Sequence, residues 1–251
     1  MIYAVGDIHG QVTMLRAMLD RLRSLPLRDD DILIFIGDYI DRGEDSRAVI
    51  QTLLQLREER SGVVFLRGNH EQLILEARKG PPPEPADREG YMLLAESLLN
   101  WLQNGGAETL YSYGVEDFMR WWEFIPESHW EFIRATELEY ITEHYHFVHA
   151  GLLPPGKTWE GADWDLDPRL WIREPFLKSK ADFGGRRVVF GHTPQTSGRP
   201  LLQRNKIGID TGAVYGGPLT TVVLEENFTG RRPPPPRFIQ VPYDRADIPE
   251  E

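Results

Sequence analysis

Short apolar segments that end in polar residues and glycine constrain the fold of this chain more than any other feature. The first three are MIYAVG, DILIFIG and GVVFLRG, and a segment with helical periodicity follows each of them. Strands and helices that alternate at this spacing favour βαβ units. Periodicity alone therefore predicts an α/β fold in which helices cover both faces of one parallel or mixed central sheet.

The pattern changes after Lys79. The segment GPPPEPADREG predicts a loop, and the tryptophan-rich segments after it predict helices. From Leu138 onward, HFVHAG, RRVVFGHT, KIGIDTGAV and PLTTVVLEE predict strands, and RFIQV predicts an edge strand in a proline-rich tail. We therefore expect a single domain over residues 1–251, with a helical insertion at about 80–136 and the tail from about 230.

Composition narrows the chemistry that the chain can carry. It has no cysteine, so a metal ion must be held by His, Asp, Glu, Asn or water. Its formal net charge of −11 argues against nucleic acid as a partner. Neither a basic leader nor a long apolar run is found, which predicts no membrane association and a cytoplasmic location. A monomer is the default expectation.

Five of the predicted strands end in GDIHG, GDYIDRG, RGNHE, VHAG and GHT. Because the carboxyl ends of neighbouring strands share one edge of an α/β sheet, we expect these polar residues in one crevice. Carboxylate, imidazole and amide ligands suit Mn²⁺, Fe or Zn²⁺, and two such ions about 3.5–4 Å apart can hold a phosphate ester for hydrolysis. The residues concerned are Asp7, His9, Asp38, Asp41, Arg42, Asn69, His70, His149 and His192.

These motifs, in this order, resemble those of the phosphoprotein phosphatase family of calcineurin-like metallophosphoesterases. The likeness is greatest to bacterial and phage serine/threonine protein phosphatases, and it extends from Ile2 to about Glu225. WLQNGGAETLYSYG and IDTGAVYGGPLT also look like segments of that bacterial branch. The resemblance implies a central β-sandwich flanked by helices, with a dimetal site at the rim of the sheets, in place of the single sheet that periodicity predicts.

The resemblance also implies a role for each residue. Asp7 and His9 would bind the first ion, Asp38 would bridge both, and Asn69, His149 and His192 would bind the second. Mn²⁺ is the expected ion, with Fe or Zn²⁺ as alternatives. Arg42 and Arg173 would bind the substrate phosphate, Asn69 and Tyr215 would line its site, and His70 would be a general acid oriented by Asp41. Glu71 is interpreted only as an acid that favours the start of a helix.

The implied function is hydrolysis of phosphomonoesters in phosphoproteins or phosphopeptides by a water that the two ions activate. Two alternatives stay open. Symmetrical hydrolysis of diadenosine tetraphosphate uses a similar fold and similar ligands, but that branch usually has a neutral residue at the position of Asp41. A non-catalytic metal- or phosphate-binding module is disfavoured, because all six proposed ligands and the acid are present.

Overall fold

A computed structural model describes residues 1–78, 88–161, 166–229 and 233–243. The first of two sheets, sheet A, has five strands in the order β10-β9-β1-β2-β3. Its members β1, β2 and β3 are parallel, whereas β9 is antiparallel to β1 and β10 is antiparallel to β9. Their bounds are β1 Ile2–Val5, β2 Ile32–Phe35, β3 Val63–Phe65, β9 Leu219–Leu224 and β10 Arg237–Val241.

The second sheet, sheet B, has five strands in the order β4-β5-β6-β8-β7. Strands β5, β6 and β8 are parallel, and the two edge strands run antiparallel to their neighbours. The bounds are β4 Glu139–Ile141, β5 Tyr145–Val148, β6 Arg187–Phe190, β7 Leu201–Leu202 and β8 Lys206–Gly208. The sequence had predicted all of these except the short edge strands β4 and β7.

Side-chain alternation shows that the two sheets face each other. Ile2 and Ala4 of β1 pack in a core with Phe147 of β5 and Val189 of β6, whereas Tyr3 and the other outward residues of β1 pack against helices. The predicted two-sheet architecture is confirmed. The single sheet covered by helices on both faces is wrong, because one face of each sheet is buried against the other sheet.

Helices cover the outer face of sheet A. The first three follow β1, β2 and β3, and Asp45 caps the second by accepting a hydrogen bond from the Ala48 amide at 2.8 Å. The remaining helices come between β3 and β6 in the sequence. The bounds are α1 Val12–Arg23, α2 Ser46–Glu59, α3 Asn69–Ala77, α4 Arg88–Trp101, α5 Ala107–Ser112, α6 Glu127–Arg134 and α7 Pro168–Trp171, with a π-helical turn at Leu102–Gly106 and 3₁₀ turns at Phe118–Phe124 and Ala213–Tyr215.

Some predictions fall outside the described part of the chain. Residues 80–87 of the predicted loop do so, whereas its last three residues begin α4. Residues 230–232 and 244–251 of the predicted tail also do so, while the edge strand predicted at RFIQV is confirmed as β10. Among the helices that are described, none is long and apolar enough to cross a membrane.

Candidate metal centre

Five strands carry five of the six candidate ligands to one rim of the sandwich. Asp7 follows β1, Asp38 follows β2 and Asn69 begins α3 after β3, so sheet A contributes three of them. His149 follows β5 and His192 follows β6, so sheet B contributes two. All five side chains are buried.

The backbone at this rim adopts conformations that side chains rarely take. Among the described residues, the non-glycine residues with positive φ are all members of the sequence-predicted set. Conformations of this kind concentrate at functional sites, where the surrounding structure must hold them. The residues are His9 (φ 46°), Asp38 (53°), Asp41 (72°), Arg42 (69°) and His192 (61°).

Glycines give the carboxylates their space. A Cβ on Gly68 would collide with Oδ1 of Asp38, and a Cβ on Gly191 would collide with Oδ1 of Asp7. The glycines of RGNHE and GHT are therefore required by close approach rather than by turn geometry, since neither has a positive φ.

Backbone carbonyls fix the direction in which two histidines face the site. Nδ1 of His149 lies 2.9 Å from the carbonyl oxygen of Ile36, and Nδ1 of His9 lies 3.0 Å from that of Ile40. In each ring Nδ1 donates its proton to the carbonyl, which leaves a lone pair on Nε2. This is the usual arrangement of a metal-binding histidine.

The Nε2 nitrogens of these two rings lie close to oxygen atoms of other candidate ligands. Nε2 of His149 lies 3.0 Å from Oδ1 of Asn69 and 3.4 Å from Oδ1 of Asp38. Nε2 of His9 lies 3.3 Å from Oδ2 of Asp38. Burial lowers the pKa of His9, but Asp38 raises it more, to about 9, so a positive charge is favoured at this nitrogen.

Two buried atoms of the candidate ligands lack a hydrogen-bond partner among the described residues: Oδ1 of Asp7 and Nε2 of His192. The other oxygen of Asp7 accepts a hydrogen bond from the His192 amide at 2.9 Å, and Nδ1 of His192 lies 2.9 Å from Oδ1 of Asn69. Burial and the nearby His149 hold the pKa of His192 well below its usual range, so its ring is neutral and can ligate. The donor set thus fits divalent cations.

The charge balance also favours cations. Burial and the neighbouring Asp210 and Asp38 raise the pKa of Asp7 well above its usual range. Burial acts to raise the pKa of Asp38 too, but the imidazoles of His149, His70 and His9 hold it well below its ordinary value. Three buried carboxylates in one place are costly unless positive charge compensates them.

The grouping of ligand atoms differs in one respect from the expectation. Within the described part of the chain, candidate ligand atoms lie within 4.8 Å of one another in two groups that share Asp38. One contains Asp38, His149 and His192, as expected for the second ion. The other contains His9, Asp38 and His70, and Asp7 belongs to neither group.

His70 pairs with Asp41, as the sequence predicted. Nδ1 of His70 lies 2.7 Å from Oδ2 of Asp41, and both side chains are buried. The surroundings of His70 favour the neutral ring. Burial lowers the pKa of His70, and this outweighs the opposite effects of Asp38 and Asp41.

The arginines lie at the edge of the site. The NH1 nitrogen of the half-buried Arg42 is 3.1 Å from Nε2 of His9. Arg173 follows α7, is exposed, and donates from NH2 to the carbonyl of His192 at 3.3 Å. Tyr215 ends a 3₁₀ turn and is 63% exposed. The structure therefore brings both guanidiniums to the ligand cluster.

Sequence reasoning missed two buried acids. Glu71 does more than favour a helix start, because it accepts hydrogen bonds from the amides of Gly68, Asp38 and Tyr39, each at 2.9 Å. Burial and Asp38 raise its pKa to about 7. Asp210, just after β8, interacts with Asp7 and accepts a hydrogen bond from the Gly212 amide at 3.0 Å. Asp210 could have been found from the segment IDTG, in which an acid and a glycine follow a predicted strand, but this segment was used only for its resemblance to bacterial phosphatases.

Comparisons with known proteins agree with this geometry. A family model described as calcineurin-like phosphoesterase matches residues 1–220. Serine/threonine-protein phosphatase 1 of Salmonella typhimurium is 35% identical over 234 residues, which cover 89% of this chain and 92% of that protein. The symmetrical bis(5'-nucleosyl)-tetraphosphatase of Pseudomonas syringae pv. tomato is 34% identical over 267 aligned positions, which cover 89% of this chain and 86% of that protein.

A solved structure supports the fold. A protein serine/threonine phosphatase from Saccharomyces cerevisiae superposes with a TM-score of 0.54 at 16% identity, over 99% of this chain and 81% of that one. At this identity the likeness concerns the fold alone.

Proposed function

Because the chain belongs to the calcineurin-like phosphoesterase family, we propose that it is a metal-dependent phosphomonoester hydrolase that acts as a serine/threonine protein phosphatase. The observation that carries this assignment is the buried pair of His70 and Asp41. The alkoxide of serine or threonine is a poor leaving group, so an acid beside the leaving oxygen is needed for its departure. The relative from Salmonella supports the same class of substrate.

The ligands follow from the site. We propose that Asp38 is shared between two divalent ions, which when bound supply an activated water and polarise the phosphoryl oxygens. Mn²⁺ is the proposed ion, because the donors are oxygen and imidazole nitrogen and the chain has no thiolate. The proposed ligands are Asp7, His9, Asp38, Asn69, His149 and His192, with His70 adjoining them.

The chain's own residues bind the ester and move a proton. The guanidiniums of Arg42 and Arg173 bind the non-bridging oxygens of the phosphate and neutralise their charge. Asp41 accepts a hydrogen bond from the Nδ1–H group of His70, so that Nε2 faces the site. When the ring carries a second proton on Nε2, as an imidazolium, it gives that proton to the leaving oxygen and returns to the neutral form. Tyr215 is proposed to line the site from its exposed turn.

The remaining assignments rest on sequence composition and on the described helices. We propose one catalytic domain with an insertion at about 80–136, active in the cytoplasm as a monomer on phosphoproteins or phosphopeptides. Nucleic acid is not a proposed partner, because the net charge is −11.

A substrate panel tests the proposal. Enzyme loaded with Mn²⁺ is incubated with a phosphoserine peptide, a phosphotyrosine peptide and diadenosine tetraphosphate, with metal-free enzyme as the control. We expect the highest kcat/KM for the phosphoserine peptide and none without metal. The relative from Pseudomonas favours diadenosine tetraphosphate as the second candidate. A higher kcat/KM for that substrate would replace the proposed function with this alternative.

A further inference from the structure

The helical insertion contacts the carboxylate of Asp41, the partner of His70, directly. The indole nitrogen Nε1 of Trp101, at the end of α4, lies 2.9 Å from Oδ2 and 3.1 Å from Oδ1 of Asp41. The hydroxyl of Thr109, in α5, lies 2.6 Å from Oδ1 of the same carboxylate. The side chains of Trp101, Thr109 and Asp41 are fully buried, so water does not compete for these bonds.

The directions of these hydrogen bonds are determined. An indole N–H can only donate, so Asp41 accepts from Trp101. An ionised carboxylate only accepts, so the single hydroxyl proton of Thr109 goes to Oδ1 of Asp41, and the hydroxyl oxygen accepts from the Asp41 amide at 3.0 Å. With these donors in place, Asp41 is oriented as an acceptor for His70, and Nδ1 of His70 must carry the proton.

The π-helical turn between α4 and α5 contacts Arg42 in a similar way. The carbonyl of Gly105 accepts a hydrogen bond from the Arg42 amide at 3.0 Å. Gly105 has a φ of 103°, and a Cβ on it would lie 2.5 Å from Cγ of Arg42. Only glycine therefore allows the turn to approach Arg42 this closely.

From these contacts we propose that the segment Trp101–Thr109 is the positioning element of the active site. Trp101 and Thr109 fix Asp41 and, through it, the ring of His70, whereas Gly105 fixes the position of Arg42. This inference deepens the proposed function and rests on it. It assigns the insertion two separable effects, one on proton transfer and one on phosphate binding.

The first effect is tested with Trp101→Phe, which keeps the buried ring and removes the N–H. We expect kcat for a phosphoserine peptide to fall by about 10- to 100-fold, as for lost partners of an active-site histidine, with KM unchanged. The loss is smaller for p-nitrophenyl phosphate, whose leaving group departs without a proton. The ratio of the two kcat values does not depend on the folded fraction of the variant, so partial unfolding does not affect it.

Two controls separate positioning from general stability. Trp130→Phe removes another buried indole N–H, whose acceptor is the Trp122 carbonyl at 3.2 Å, and leaves the ratio of kcat values unchanged. Thr109→Val reproduces the change in ratio, and Thr109→Ser restores it. In a His70→Asn background, Trp101→Phe has no further effect on kcat. Equal losses for both substrates, or additive losses in the double variant, would overturn the proposal.

The second effect is tested with Gly105→Ala. We expect the inhibition constant of inorganic phosphate and the KM to rise about 10- to 100-fold, because Arg42 is displaced, while the ratio of kcat values stays at the wild-type value. Gly114→Ala is the matched control, because Gly114 also has a positive φ, 67°, but nothing within 4 Å of its Cβ position. Unchanged phosphate inhibition in Gly105→Ala would refute the role of this turn.

The two proposals fail in different ways. If the wild-type enzyme does not hydrolyse the phosphoserine peptide, the proposed function fails, and the positioning element is still tested by comparing phenyl phosphate with p-nitrophenyl phosphate. If the wild type is active but the ratio is unchanged in Trp101→Phe and Thr109→Val, only the positioning element fails.

Discussion

The carboxylate of Glu71 accepts a hydrogen bond from the backbone amide of Asp38 at 2.9 Å. The same carboxylate accepts the amides of Gly68 and Tyr39. Glu71 therefore joins the loop after β2 to the first turn of α3, and it holds Asp38 in the left-handed backbone conformation that the site requires.

Glu71→Ala leaves these buried amides without an acceptor. We expect the free energy of unfolding to fall by about 2–4 kcal/mol, because an unsatisfied buried donor costs about 1–3 kcal/mol. Urea denaturation of the metal-free protein measures the loss. Glu76→Ala, on the same helix, removes only a partly buried bond with Gln72 and serves as the control. Equal stabilities of the two variants would contradict this role for Glu71.

Asp38→Ala tests whether one carboxylate serves both ions. Asp38 is common to both groups of candidate ligands, so its removal is expected to lower the content of both ions, measured by elemental analysis after dialysis. Asp45→Ala is the control, because Asp45 caps α2 instead. Two tightly bound equivalents of Mn²⁺ in Asp38→Ala would show that the bridging assignment is wrong.

Arg42→Ala is expected to weaken binding of inorganic phosphate about 10-fold or more while both ions are retained, because the guanidinium is proposed to contact the phosphate and not the ions. Inhibition constants for phosphate and metal content measure the two properties separately. Arg47→Ala, at an exposed position of α2, should leave both unchanged. Loss of metal from Arg42→Ala would instead indicate that its contact with His9 supports the ligands.

Asp167 gives a pH dependence whose sign can be stated. It caps α7 through the Arg169 amide at 2.9 Å and pairs with the Arg169 guanidinium at 2.6 Å. Burial acts to raise the pKa of Asp167, but these bonds hold it below its ordinary value. The unfolded chain thus binds more protons in the interval between the two pKa values, and stability falls as the pH is lowered through it.

The matching variant is Asp167→Asn. At pH 7 we expect its free energy of unfolding to be about 1 kcal/mol below that of the wild type, because Asn can still cap the helix but cannot pair with the Arg169 guanidinium. Below about pH 4 the difference should shrink, because the Asp167 carboxyl of the unfolded wild-type chain becomes protonated there before that of the folded protein. Urea denaturation at pH 7 and at pH 3 checks this, and a difference that is the same at both values would exclude the ion pair as its source.

The strands could be predicted from sequence because apolar and β-branched runs end in glycine and polar residues. Their assignment to two sheets could not, because it depends on which faces pair across the core. Strands β4 and β7 were missed because Glu139–Ile141 and Leu201–Leu202 are too short to show a pattern. Their strand conformation comes from pairing with a neighbour.

In the candidate site, too, local features could be predicted from the sequence and long-range contacts could not. Local motifs were enough to identify Asp7, Asp38 and His149, because each lies within three residues of the end of a strand. Glu71 and Trp101 carry no such signal. Their importance comes from hydrogen bonds to Asp38, 33 residues away, and to Asp41, 60 residues away, and spacing of that length is invisible to periodicity.

The hydrogen bond between Asp7 and His192 spans 185 residues, and it joins the two sheets at the rim. During synthesis, Asp7 is therefore added to the chain long before His192. Strands β9 and β10, which complete sheet A, are made later still. Until His192 is added, the set of candidate ligands that the two sheets share is incomplete. The candidate metal site is thus complete only when the second sheet has docked on the first.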